Sequence, residues 1–234
     1  MTESLFAIGA GDLVVGRTRY CDAPKEALTV PIIGGFADPD AEAIVHLRPT
    51  MLIGPSSPAL EGLRPVLHDA TIFSPPTNTI TDIEHLLTDL GEKTNHRAEA
   101  DAVVTKMKTD LAEIDAMYAT SKKTRVLMVF GAEPLVVAGQ TGFASDMLAH
   151  VATENIVSRP EAYTIIDAER AQALRPDVLL LALGDGSRTI PPTLRTLPVV
   201  LEKHIVYVED ARILRPGPRV IEGLRVLGEQ IHPH

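Results

Sequence analysis

Apolar residues between Lys93 and Lys123 recur in alternating steps of four and three: Ala100, Val104, Met107, Leu111, Ile114 and Tyr118, with Val103 beside them. That spacing places them on one stripe of an α-helix. Glu99, Asp101, Lys106, Lys108, Asp110 and Glu113 occupy the other faces. No Gly or Pro interrupts the pattern, which predicts a helix over 92–121. Nearly thirty residues give a rod of about 40 Å. Elsewhere the apolar positions come in short runs: Met51–Ile53, Thr71–Phe73, Thr124–Phe130, Leu135–Ala138, Val178–Leu183 and Ile205–Val208. Each is bounded by Gly, Pro or Asp, which reads as a buried strand. Helical stretches fall between them, over 41–47, 60–67, 81–90, 143–151, 168–174 and 219–231. Leu13–Thr18 and Pro31–Phe36 also read as strands, and Gly91 reads as punctuation before the rod.

Strands alternating with helices on both sides of a rod predict an α/β protein of two lobes joined by one long backbone helix. The lobes are expected at 1–91 and 122–234. An internal echo supports this division. Glu42 stands six residues before Arg48-Pro49, and Glu169 stands six residues before Arg175-Pro176. In both stretches an acid-capped helix ends at Arg-Pro and a buried strand follows.

Composition narrows the chemistry. The net charge of −9 comes without a basic stripe, which argues against nucleic acid. Cys21 is the one cysteine, so an intrachain disulfide is excluded. No apolar run reaches the roughly 18–20 residues of a membrane span. The eight histidines form no His-x3-His pair and share no zinc spacing with Cys21. A metal set drawn from His46, His68 and His150 stays open, although their predicted helix positions disfavour it. Gly9–Gly11 and Gly184–Gly186 lack the third glycine of a dinucleotide fingerprint. The expectation is a binding protein without chemistry of its own.

Several stretches resemble one family: Thr2–Gly16, Tyr20–Pro24, Gly34–Ile44, Arg125–Gly139 and Arg215–Arg219. They stand in the order found in the helical-backbone (class III) substrate-binding proteins of ABC importers for vitamin B12, haem and iron siderophores. The resemblance implies a ligand cleft between the lobes. The ligand is expected to be a corrinoid such as cobalamin, with haem or a ferric siderophore as alternatives, and no resident cofactor is expected. It places ligand contacts at Tyr20, Gly35, Phe36, Glu133, Pro134, Phe143, Asp210, Arg212 and Arg215. Arg212 and Arg215 would grip a carboxylate or phosphate, or Arg215 would pair with a neighbouring acid. Tyr20 is also a candidate axial ligand for haem. Glu42 and Glu169 match the carboxylates that dock into arginines of an ABC permease dimer. Both positions also suit the first turn of a helix, where the dipole favours an acid.

Members of the family begin with a strand and a Pro-Ser turn before the helix that starts Thr-Glu. This chain begins at that helix, so its N-terminal lobe is expected to lack the first strand, and an export signal is absent from the chain as given. The resemblance implies a periplasmic protein, with a cytoplasmic one as the alternative. An open edge of the N-lobe sheet would favour a homodimer, and a protein–protein association role is the rival reading.

Overall fold

The computed structural model describes residues 1–234 apart from His68, 184–187, Asp210 and His234. The chain divides into two compact units. The first comprises Met1–Thr77 and Thr81–Met107, the second Asn78–Ile80 and Lys108–His234.

In the first unit, α1 (Thr2–Ala7) is followed by two 3-10 turns and then α2 (Ala41–Leu47), β1 (Met51–Ile53), α3 (Pro58–Glu61) and β2 (Thr71–Phe73). β1 and β2 pair in parallel, with Leu52 opposite Ile72. Ile44, Leu52, Leu63 and Leu67 form the core around them. The expected strands at 13–18 and 31–36 are reduced to single bridges, Arg17 with Ile32 and Gly34 with Pro39. The expected helix over 60–67 is cut short: α3 stops at Glu61, and Arg64–Val66 forms a separate 3-10 turn. Pro65 cannot donate the hydrogen bond that a continuous helix needs there.

α4 (Ile80–Thr94) and α5 (Arg97–Tyr118) replace the single rod expected over 92–121. The break is at Asn95, whose φ is 59°. Asparagine tolerates this left-handed conformation, and it ends helices for that reason. The His96 amide then donates to the Gly91 carbonyl at 2.8 Å, and its Nδ1 donates to the Thr94 carbonyl at 2.7 Å. Gly91 lies inside α4 and does not end it. A Cβ there would stand 2.5 Å from the Ala100 Cβ. The glycine therefore lets the start of α5 lie against the end of α4. Along α5 the apolar stripe is as expected, with Ala100, Met107 and Ile114 buried.

The second unit continues with β3 (Thr124–Gly131), β4 (Val136–Ala138), α6 (Phe143–Ala149), β5 (Thr153–Asn155), β6 (Tyr163–Ile165), α7 (Ala168–Leu174), β7 (Val178–Leu181), α8 (Pro198–Leu201), β8 (Ile205–Tyr207), α9 (Ala211–Leu214) and α10 (Val220–Ile231). The sheet runs β6-β4-β3-β7-β8, with β5 beside the first residues of β3. β3 is parallel to β5 and β7 and antiparallel to β4. Val126, Leu127, Met128 and Val129 are all buried, as a central strand covered on both faces requires.

Candidate functional site

In the first unit the candidate residues lie on two adjoining loops. The Arg19 amide donates to the Gly34 carbonyl at 2.9 Å. The Arg19 guanidinium then grips Asp38 with both arms, Nη1 to Oδ1 at 2.9 Å and Nη2 to Oδ2 at 2.8 Å. This pair holds the Asp38 carboxyl below its ordinary value. Gly35 sits beneath the bridge, and a Cβ there would fall on both charged groups. Gly34, at φ 94°, is packed against the backbone of Asp38 and Asp40. Gly34 needs the conformational freedom of glycine, whereas a Cβ at Gly35 would push aside the flexible ends of Arg19 and Asp38 and disturb their pair. The clamped loops display Tyr20 and Phe36, 57% and 51% exposed. The Arg19 guanidinium also lies 5.7 Å from the Tyr20 ring centre. Exposed rings held on a braced backbone are a ready surface for an apolar or π-bearing ligand.

In the second unit, Glu133 and Pro134 are exposed on the turn between β3 and β4. Sequence reasoning missed what stands near them. On edge strand β6, Tyr163 and Ile165 are 53% and 65% exposed. Both point to one face, because successive strand residues alternate. Ile165 pairs with Val136 on β4, and the Phe130 ring meets the Tyr163 ring edge-on at 5.0 Å. Partial desolvation pushes the Tyr163 phenol above its ordinary value. The segment before β6 is braced: Gly139 N donates to Ala162 O at 2.9 Å and Gln140 N to Arg159 O at 2.7 Å. Asn155 Nδ2 holds the Gly139 carbonyl at 2.7 Å.

Other expected contacts sit differently. Phe143, expected as a displayed ring, opens α6 and is only 9% exposed. Its side chain belongs to the core because it falls on the buried face of α6 with Met147. Arg212 pairs with Glu222 at 3.2 Å, while Arg215 is exposed. Asp210 lies outside the described residues.

The internal echo is reproduced at residue level, with a constant offset of 127. Asp40 caps α2 by accepting from Ala43 N, and Asp167 caps α7 by accepting from Arg170 N. Ile44 and Ala171 are the buried positions of these two helices. Arg48 and Arg175 end them in the left-handed region, at φ 47° and 48°. β1 and β7 follow. Glu42 and Glu169 hold matching first-turn positions, both exposed.

No group of three or more His, Cys, Asp or Glu side chains suited to a metal occurs among the described residues. Of the histidine set left open above, His46 is exposed, His68 lies outside the described residues, and His150 donates from Nδ1 to Asp115 at 2.7 Å. That pair lines a groove of about 190 Å³ with Tyr118, Ser121 and Lys123. The Cys21 Sγ lies 3.2 Å from Thr18 Oγ1. No described helix is long and apolar enough to cross a membrane.

Two α/β units, the first displaying Tyr20 and Phe36 and the second Tyr163, each carry the same capped helix with an exposed first-turn glutamate, the arrangement of a two-lobed α/β protein with a repeated module. The chain belongs to the periplasmic binding protein family, whose model matches residues 1–196. Among its relatives is an ABC transporter substrate-binding lipoprotein of Bacillus subtilis, YvrC. It is 26% identical over 99% of this chain and 77% of its own length. The fold matches that of the periplasmic vitamin B12 binding protein BtuF of Vibrio cholerae, with a TM-score of 0.84 at 20% identity, covering 98% of this chain and 92% of that one. It equally matches the periplasmic haem-binding protein BhuT in complex with two haems, with a TM-score of 0.84 at 20% identity, covering 98% and 94%. The chain is thus a substrate-binding protein of the ABC transporter type.

Proposed function

We propose that the protein captures a corrinoid reversibly and presents it to an ABC permease at the outer face of the cytoplasmic membrane. The observation that carries this reading is the pair of exposed rings, Tyr20 and Phe36, on loops clamped by Arg19 and Asp38. A large planar chelate gains affinity from such rings, and a braced backbone reduces the ordering cost of binding. Tyr163 supplies a third ring, with Glu133 and Pro134 beside the same sheet edge. The vitamin B12 binding function of BtuF supports the corrinoid choice. Glu42 and Glu169 serve as docking carboxylates for permease arginines, giving register and steering. They take no part in ligand capture, and no bond of the ligand is made or broken.

Haem is the second reading. The exposed Tyr20 phenol suits an iron ligand, and BhuT is a haem binder. A titration with cyanocobalamin and with haemin, followed by visible absorbance, separates the two. Saturation at one equivalent with cyanocobalamin supports the first reading. Saturation with haemin alone, with a spectral change lost in Tyr20→Phe, replaces it by the second.

A further inference from the structure

Arg17 is a charged residue that the binding reading leaves unused. It is only 7% exposed. Among the described residues no carboxylate pairs with it. Its partners are backbone carbonyls: Nη1 donates to Thr18 O at 3.2 Å and Cys21 O at 3.1 Å, and Nη2 donates to Leu28 O at 3.4 Å. Its Nε is buried without a partner. The backbone of Arg17 is fixed as well. Its amide donates to Pro31 O and its carbonyl accepts from Ile33 N, both at 2.9 Å.

These contacts share a geometry. The carbonyls of residues 18, 21 and 28 belong to one loop, which leaves the Arg17 position and returns to it. Tyr20 lies between two of the three. We infer that Arg17 is the positioning residue of the ligand loop: a buried guanidinium around which residues 18–28 are wrapped, fixing the backbone on both sides of Tyr20. The inference rests on the reading of Tyr20 as a ligand contact.

The physical reason is the cost of a buried charge. A guanidinium taken out of water needs acceptors, and here they are loop carbonyls in place of an acid. Opening the loop would strip acceptors from a cation that already lacks one at Nε. The loop is therefore held by the penalty of leaving it. Arginine suits the task because its planar fork carries five N–H donors in fixed directions. A lysine has one ammonium and cannot span three carbonyls across the same plane. The turn is closed further by the Cys21 amide, which donates to Thr18 O at 3.1 Å, and by the contact of Cys21 Sγ with Thr18 Oγ1.

The test is amide hydrogen exchange of the full chain, comparing wild type with Arg17→Met and Arg17→Lys. The expected result is at least tenfold faster exchange at Cys21, Ala27 and Val30 in both variants, with α2 and β1 unchanged. Three results would overturn the inference: unchanged loop exchange, equal acceleration in α2 and β1, or full protection restored by lysine. The second would make Arg17 a general stabiliser, and the third would make its charge sufficient without its fork. Cyanocobalamin titration adds a second readout. Arg17→Met is expected to weaken binding at least tenfold in the wild-type background and by less than threefold in Tyr20→Ala. Equal losses in both backgrounds would break the link to Tyr20. Failure of the wild-type chain to bind cyanocobalamin or haemin would remove the functional reading, while the exchange result still decides whether Arg17 holds the loop.

Discussion

Gly91→Ala sets helix propensity against packing, and the geometry decides the winner. In an ordinary helix interior, alanine is favoured over glycine by about 1 kcal/mol. Gly91 lies within α4, so propensity alone predicts stabilisation. The added Cβ would stand 2.5 Å from the Ala100 Cβ, 3.0 Å from the His96 carbonyl oxygen and 3.3 Å from the Arg97 Cα. Two of these atoms are backbone in the turn that begins α5, and Ala100 is fully buried, so no flexible side chain can yield. Overpacking of this kind costs roughly 1–3 kcal/mol, and the Ala100 contact is well inside the usual carbon separation of about 3.5–4.0 Å. The overpacking exceeds the propensity gain, and the net is a loss of about 1 kcal/mol. For a unit of about 100 residues this lowers the midpoint by about 4–8 °C. Thermal and urea unfolding followed by far-UV circular dichroism measure it. Ala100→Gly, which removes the partner Cβ, should make the alanine at 91 less costly than it is in the wild-type background. A stabilised Gly91→Ala would refute the reasoning and return Gly91 to the role of a replaceable helix residue.

Other predictions concern the site. Arg19 holds the Asp38 carboxyl below its ordinary 3.8. The contribution of the clamp is therefore fully present above that value and is lost as pH falls through the depressed one. The protection of the Gly35 amide, its exchange corrected for the intrinsic rate at each pH, should be retained at pH 5 and lost below pH 3.8; loss already at pH 5 would contradict the pairing. Asp40→Ala and Asp167→Ala each remove a side-chain cap, and each should cost about 1 kcal/mol. Urea titration should find the two losses equal within error if the two helices are equivalent modules. The docking proposal predicts that Glu42→Lys with Glu169→Lys leaves cyanocobalamin binding unchanged and abolishes its uptake by cells carrying the full transporter. Normal uptake by that variant would remove the proposal.

Legibility of the fold followed the strength of local signals. The modules at Asp40–Ile53 and Asp167–Leu181 could be read because their signals are short-range: an acid cap, one buried position, an Arg-Pro stop and an apolar run. The central strand β3 was equally plain, since an uninterrupted apolar run of that length has few other uses. The start of α5 was not legible. Asn95 looks like any polar helix residue until its backbone is seen in the left-handed region, and Gly91 resembles a stop signal although it serves a close contact. β5 is Thr-Glu-Asn and carries no apolar run to mark it, unlike the equally short β1 and β2.

The site divided in the same way. Tyr20 lies in a loop whose polar residues announce exposure, Phe36 reads as the end of a strand after a glycine pair, and the structure finds both rings exposed. Phe143 opens its helix as expected, but the facing of a helix is set by the packing of the whole unit, which turned the ring inward. Tyr163 was passed over because an edge strand gives no sign of which face will be left open. Arg17 was read as an ordinary strand residue. Nothing local marks a charge that tertiary structure will bury, and only the returning carbonyls of residues 18–28 reveal its use.

The most direct test of the central claim is a calorimetric titration of cyanocobalamin into the wild-type chain, Phe36→Ala and Tyr163→Ala. Covering about half of one ring buries roughly 75–100 Å² of apolar surface, worth about 2 kcal/mol. The account predicts one site in the wild type and a loss of about 30-fold in each variant, with unfolding midpoints unchanged. Binding that is equally tight in all three chains, or absent from the wild type, would contradict it.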